Sequence, residues 1–541
     1  LSPAKLLNDR VTTSPAPANA NSRRDANWLL AVAATVAVVA LHFYFLTHVG
    51  GLWRDEVSSL NLAQGELQNI SHDSFPVLFP LLLRGWSEIG LAQSDASLRC
   101  FGGLLGLCLT AVFWLAAWWT RRAPPLWSLA LMAVNAWVIY YAASLRAYGL
   151  GSALIALCAA AAWRFGENPN RKSWLLFALT AVLSVQTLFQ NSVLVAGICA
   201  GAGVVALRQG KFKLLIAVIL AGLTAAISLL PYFYNIAGMA QSASPLRMDF
   251  DRVIAFNDLD TLLAYPLPVF FWVWAGLVGY VLLRAVAGFF TRVSDDRFLF
   301  ATVTLAAGLP AFWMFLRLAN FPVQPWYFLP PVALAAVCLD ATLPRPAGKL
   351  RAVFFGALAS LAVISAMFAP QILKLHFTNV DLAAKQVSEQ ADKMDFVVVT
   401  PWQVGITFAH YFNGPCDWAT VPPMADHTAH RFDLIQLQMA NTNAMQPVLE
   451  KISTTLRTGG AVWVVGGINQ VGDTNFPASP PPPPLRASGW NETPYRITWN
   501  NQLGWLLHWH ATNIESFKKL TPQDVGDNEP VTLEKVTGWR N

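Results

Sequence analysis

Apolar residues in this chain gather into long blocks, separated by short polar stretches rich in Arg and Lys. A block of roughly 17–25 apolar residues is the length that crosses a bilayer as a helix, at 1.5 Å of rise per residue. The cores of about eleven such blocks lie at 28–46, 101–119, 126–142, 149–163, 174–189, 193–207, 214–234, 269–283, 298–316, 327–339 and 353–369. The pattern predicts a polytopic α-helical membrane protein.

Two regions break this pattern. Residues 75–91 are apolar but interrupted by Pro76, Pro80, Arg84 and Glu88. Counting them as a span would put Arg121 and Arg122 on the wrong side and invert every later loop, so they predict a helix lying along the membrane surface. Near residue 371 the pattern changes altogether. Ala384, Val387, Ala391 and Met394 recur at helical spacing, and Phe396-Val397-Val398-Val399 follows as a buried strand. Val448, Leu449, Ile452 and Leu456 mark another helix, and Ala461 to Val465 a second strand. Helix–strand alternation predicts a small α/β domain with a mostly parallel sheet. Residues 479–485 are a polyproline spacer, and 505–510 predict the start of a further helix.

Composition agrees with a membrane protein: 55% of the 541 residues are hydrophobic and 13% charged. The net charge of +6 is +9 over residues 1–370 and −3 over 371–541, and the excess sits in loops on one side of the spans. That side holds 18 Lys and Arg residues against 7 on the other. The positive-inside rule makes the basic side cytoplasmic, with the N-terminus there and the C-terminal domain outside. No basic stripe interleaved with aromatics appears, so nucleic acid is not an expected partner. The six cysteines show neither a CxxC pair nor a zinc-ligand spacing. The expected organisation is a disordered cytoplasmic tail over 1–27 and a membrane domain over 28–370 with outer loops 47–99 and 235–268. An external α/β domain occupies 371–541.

Candidate chemistry clusters on the outer side. Asp55 and Glu56 lie just past the first span, where ionised groups are costly and usually functional. Consecutive helical residues diverge by about 100°, so both carboxylates cannot reach one atom. One would remove a proton from an acceptor and the other bind the acceptor or orient a neighbour; equally, the pair could simply cap a helix. His72, with Pro76, opens the surface helix and could position a phosphate or carboxylate. Arg146, beside Tyr148, and Arg317 stand at outer ends of spans, where a cation needs a counter-charge or a phosphate. Trp326 and Tyr327 enter the tenth span as interfacial anchors or as a surface for a sugar. The loop bearing Arg247, Asp249, Asp251, Arg252, Asp258 and Asp260 could hold a divalent cation together with Asp55, although its spacing matches no defined metal loop.

Taken in order, these strings resemble the GT-C fold glycosyltransferases that use polyprenyl-phosphate sugars. The resemblance is to the protein O-mannosyltransferase and lipid A aminoarabinose transferase group and its galacturonosyltransferase-like members. The strings are Trp53-Arg54-Asp55-Glu56 in the first outer loop, His72-Asp73-Ser74-Phe75-Pro76, Ser97-Leu98-Arg99 before span two, Arg146-Ala147-Tyr148, and Trp326-Tyr327-Phe328-Leu329-Pro330. They cover roughly residues 28–345. Two depart from the family pattern: His72 is followed by a single proline at Pro76, and Trp326-Tyr327 stands where an Arg-Tyr pair is common.

The resemblance implies a sugar donor whose polyprenyl chain lies in the bilayer, and a glycan, lipid or protein acceptor. Asp55 would be the general base of a single inverting displacement, and Glu56 would bind acceptor or metal. Arg146, Arg317, Arg247 or Arg252 would stabilise the departing phosphate. The implied location is the cytoplasmic (inner) membrane, with the C-terminal domain in the periplasm. The alternative reading is a multi-span transporter or lipid flippase with an external α/β domain, which predicts repeated halves and mid-membrane charges. A structural or sensory membrane protein is a third.

Overall fold

The computed structural model describes residues 20–66, 75–232, 250–291, 295–319, 322–343, 350–483, 491–517 and 525–540. His72, Arg247 and Asp249 lie outside the described residues, as does residue 484 onward of the polyproline string.

Each of the eleven predicted blocks coincides with a helix or a broken helix. Among the described residues seven helices are long and apolar enough to cross a membrane, and 269–285 adds a shorter apolar one. Two of the three remaining blocks are broken for local reasons, and the third, 174–189, is the 15-residue helix Arg171–Val185. Block 126–142 is split at Asn135, whose side chain accepts from the Trp137 and Val138 amides and so starts the helix Ala136–Ala142 afresh. A turn of π-helix, Ser128–Ala133, precedes it. Block 327–339 begins as a 3-10 turn at Pro325–Phe328 and becomes an α-helix only from Leu329. Prolines there are tolerated because the first turn of a helix needs no amide donors.

Small residues set the closest approach inside the bundle. Gly197 and Gly201, four apart on the helix Asn191–Arg208, face Thr304 and Gly308, four apart on Asp296–Ala319. A Cβ on Gly197 would lie 2.7 Å from Gly308 Cα, and one on Gly201 would collide with Thr304 Oγ1. Small residues at such spacing let helix backbones touch where lipid offers no hydrophobic drive for association.

Among the described residues four helices come first in sequence: α1 (Ala20–His48), α2 (Arg54–Gln64), α3 (Leu78–Glu88) and α4 (Asp95–Arg121). α3 falls within the apolar stretch 75–91 and is shorter than it.

The C-terminal domain starts directly after the last bundle helix, Leu350–Leu373, with β1 (His376–Thr378). A five-stranded sheet has the order β3 (Asp417–Thr420), β2 (Phe396–Val399), β4 (Val462–Val465), β7 (Leu533–Trp539), β5 (Ala511–Ser516). β3, β2 and β4 run parallel; β7 and β5 join antiparallel. The sheet is therefore mixed rather than mostly parallel, because the final strands carry no uninterrupted apolar run and escape a search for one. β2 shows why its sequence is apolar throughout: Phe396 and Val398 enter one core, Val397 and Val399 the other, with helices on both faces. A helix does cover 505–510, but as the end of Thr493–His510. The start of the polyproline string lies on the domain, since the Tyr495 hydroxyl donates to Pro481 O.

This domain sits on the first outer loop. Gly50, at φ 73°, leaves room for the His376 ring, whose Nδ1 would be 2.5 Å from any Cβ there. Tyr411 Oη accepts from the Leu52 amide at 2.6 Å and donates to Asp95 Oδ2 at 2.6 Å. Asn528 Nδ2 donates to Tyr140 Oη at 3.2 Å, joining β6 (Val525–Glu529), the partner of β1, to the bundle.

Candidate active site

The adjacent carboxylates have separate environments, as the 100° between them requires. Glu56 points inward and is fully buried. Its Oε1 accepts from Arg99 Nη1 at 2.6 Å and from the Leu145 amide at 2.7 Å; its Oε2 accepts from the Trp53 amide at 3.3 Å. Glu56 is thus the capping-box residue of α2 and also a bolt between α2, α4 and the turn that carries Arg146. Both of its oxygens accept from groups of the protein itself.

Asp55 points outward, its side chain 19% exposed. Three cationic or ionisable groups surround it: His430 Nε2 at 3.1 Å from Oδ1, Arg146 Nη2 at 3.5 Å from Oδ2, and Arg54 Nε at 3.8 Å from Oδ1. Burial would push the Asp55 carboxyl up. The Arg146 charge, the His430 hydrogen bond and the Arg54 charge outweigh it and hold the group well below the ordinary carboxylate range. Asp55 is a carboxylate at every physiological pH.

Arg146 is fixed from several directions. Its Nη1 donates to Asp55 O and to Ser59 Oγ, both at 2.8 Å, and its guanidinium lies 4.4 Å from the Phe75 ring centroid. A cluster of aromatic rings lies beside Arg146. Tyr148 is edge-on to Phe75 at 5.4 Å and lies 6.2 Å from Trp326 and 6.0 Å from Tyr327. Trp326 also meets Trp53 at 6.0 Å and Tyr141 at 5.2 Å. The structure therefore brings Asp55, Arg146, Tyr148, Trp326 and Tyr327 together. Arg252, at the start of the helix Arg252–Leu263, and Arg317, near the end of Asp296–Ala319, are exposed, and neither is an ion-pair partner of Asp55. Asp251 caps its helix by accepting from the Val253 and Ile254 amides. Burial pushes Asp258 up to about 6. Among the described residues no three His, Cys, Asp or Glu side chains converge as a metal site requires.

Two site residues come from the C-terminal domain. His430 lies just before the helix Phe432–Ala440, in the segment that leaves the C-terminal end of β3. Glu529 ends β6. The Glu529 side chain is fully buried, its Oε2 accepts from Thr407 Oγ1 at 2.8 Å, and its Oε1 lies 3.7 Å from Arg54 Nη1. Arg54 thus stands between Asp55 and Glu529. No local signal marks these two residues. A general one exists, since loops leaving the C-terminal ends of parallel strands are the usual place for sites in α/β sheets.

Burial pushes Glu529 up from 4.5 to about 7 despite the Arg54 charge. The folded protein then holds this proton more tightly than the unfolded chain does. The group's contribution to stability is complete below about 4.5 and is lost as pH rises through about 7. Glu529→Gln cannot ionise and should flatten that slope, leaving the variant more stable than wild type near pH 8 by up to roughly 3 kcal/mol. Thermal unfolding of both proteins in detergent near pH 5 and pH 8 checks this; parallel shifts would refute it.

No family model matches the chain, and no curated protein matches it by sequence. Solved structures do match. ArnT from Cupriavidus metallidurans bound to undecaprenyl phosphate has a TM-score of 0.51 at 12% identity, over 80% of this chain and 92% of that one. The same protein in the apo state gives 0.50 at 12% identity over the same shares. An Archaeoglobus fulgidus oligosaccharyltransferase tethered to an acceptor peptide containing the NVT sequon gives 0.50 at 11% identity, over 93% of this chain and 75% of that one. At such identity the likeness is one of fold. This chain has the GT-C membrane architecture with a C-terminal sheet-containing domain, and is a multi-pass membrane protein.

Proposed function

We propose that this protein transfers a sugar from a polyprenyl-phosphate donor to an acceptor at the outer face of the cytoplasmic membrane, with inversion and with Asp55 as general base. The observation that carries the reading is the Asp55–Arg146 pair: a carboxylate kept ionised beside a guanidinium, close to the ring cluster of Tyr148, Trp326 and Tyr327. The shared fold supports it, since ArnT is bound to undecaprenyl phosphate.

The chemistry follows from the placement. An acceptor hydroxyl or amine gives its proton to Asp55 as its oxygen or nitrogen bonds to the anomeric carbon. The bond from that carbon to the phosphate oxygen breaks, and the electron pair leaves with the phosphate. Arg146 meets the growing negative charge by charge-assisted hydrogen bonds. A phosphate at Arg146 would also draw that cation away from Asp55 and raise the carboxylate's basicity when a base is needed. One base suffices for direct displacement. The aromatic cluster offers flat surfaces for the C–H face of a sugar. Glu56 is here a support for Asp55 and Arg146 and not a ligand. The charge bias of the loops puts the N-terminus in the cytoplasm and residues 371–541 outside, over the site. The transporter reading has no specific observation in its favour.

Reconstitution tests the proposal. Purified protein in liposomes carrying polyprenyl-phosphate sugars should release free polyprenyl phosphate only when acceptor is supplied, with mass spectrometry reading both products. Donor consumption that never depends on acceptor, across a panel of envelope glycans, lipids and peptides, would overturn it.

A further inference from the structure

We propose that His430, carried by the C-terminal domain, is a positioning residue that sets the orientation of the Asp55 carboxylate. The inference rests on Asp55 being the base. The two residues are 375 positions apart in the chain and meet at 3.1 Å, Nε2 to Oδ1. Because Asp55 is ionised and can only accept, His430 Nε2 carries the proton in this contact.

The imidazole is itself held. It stacks parallel on Phe432, centroids 5.8 Å apart and 8° between planes, and meets the Trp402 ring edge-on at 6.2 Å. Trp402 is buried and anchored by its Nε1–H donating to Glu492 Oε1 at 3.1 Å. Two residues before His430, Thr428 O accepts from Asn61 Nδ2 at 3.0 Å, which ties the same segment to α2, the helix that carries Asp55. The donor is therefore fixed by packing at its back and by a hydrogen bond to its target's own helix.

A carboxylate needs this. Rotation about its last torsion is broad and weakly restrained. With Arg146 near Oδ2 and His430 on Oδ1, both oxygens are tethered from opposite sides and the plane of the group is set. Without His430, Oδ1 keeps only the longer contact to Arg54 Nε at 3.8 Å, and the carboxylate can swing toward Arg146 and close a tighter ion pair, turning its lone pairs from the acceptor. A displacement of about 1 Å in a reacting group costs on the order of 100-fold in rate. A domain at the far end of the chain would in this way complete a centre built by the first outer loop.

Three variants in the reconstituted transfer assay test this. His430→Ala should lower kcat by about 10- to 100-fold while the KM for donor stays within about twofold, since no donor contact is lost. His430→Gln, whose amide N–H can still donate to Oδ1, should recover most of that loss. Asp55→Asn/His430→Ala should be no slower than Asp55→Asn alone, because a positioning residue has nothing to position once the base is gone. Full kcat in His430→Ala, an equal loss in His430→Gln, or an additive loss in the double variant would each overturn the proposal. Asp55→Asn transferring at full rate would overturn the base assignment and this inference with it. An inactive Asp55→Asn beside a fully active His430→Ala would overturn the inference alone.

Discussion

Asp55→Asn should abolish most sugar transfer while leaving the protein folded and donor binding intact. Loss of a general base costs about 10²–10⁴-fold in rate, and the loss should fall on kcat. The amide is isosteric and keeps one oxygen as an acceptor, for His430 or for Arg146 but not for both. It removes the charge that now competes for the Arg146 guanidinium, so a phosphate should bind Arg146 at least as well in the variant. The KM for donor should therefore hold or fall as kcat collapses. Retention of more than about a third of wild-type kcat would remove Asp55 from the chemistry. The pH profile adds a check. With its carboxyl held below the ordinary range, Asp55 stays ionised down to low pH, so kcat/KM should show no acid limb from Asp55 between about pH 5 and pH 8.

The parts of this centre that the sequence makes legible are the local ones. Apolar blocks give the bundle, and the loop charges assign each block a direction. A carboxylate past span one and Arg146-Ala147-Tyr148 at the mouth of another are both visible as polar groups where polar groups are expensive. Broken spans are harder to see, because Asn135 and the 3-10 turn Pro325–Phe328 interrupt or delay helices inside segments that remain apolar on average. The choice between base and cap for Asp55-Glu56 is not local at all. It turns on Arg99 and on the Leu145 amide, which reach Glu56 from 43 and 89 residues away. His430 and Glu529 are further still from the first outer loop, and only docking of the C-terminal domain brings them to it. Helix and strand patterning reports which face of an element is buried, not which element lies across from it. The two side chains therefore part: Glu56 caps and braces, and Asp55 stands beside Arg146 and His430.

Glu56→Ala should consequently fail as a structural variant. The substitution removes the ion-pair partner of Arg99, whose side chain is 3% exposed and whose other hydrogen bonds run to the carbonyl oxygens of Gly50 and Gly51. An uncompensated buried charge of this kind typically costs about 3–5 kcal/mol. The Leu145 and Trp53 amides lose their acceptor in the same stroke, which loosens the turn bearing Arg146 and the first turn of α2. The expected result is a clear fall in the thermal unfolding midpoint in detergent, with a loss of transfer that tracks the fraction of folded protein. Glu56→Ala/Arg99→Met should regain part of that stability, since an apolar side chain replaces the stranded guanidinium. Asp55→Asn should leave the midpoint near wild type, because its carboxylate is partly open to water, Arg146 keeps the Asp55 carbonyl and Ser59, and Arg54 keeps Glu529. The two neighbours thus separate by experiment into a stability phenotype and a rate phenotype. A Glu56→Ala protein that unfolds at the wild-type temperature yet transfers no sugar would reverse the assignment and put Glu56 on the substrate.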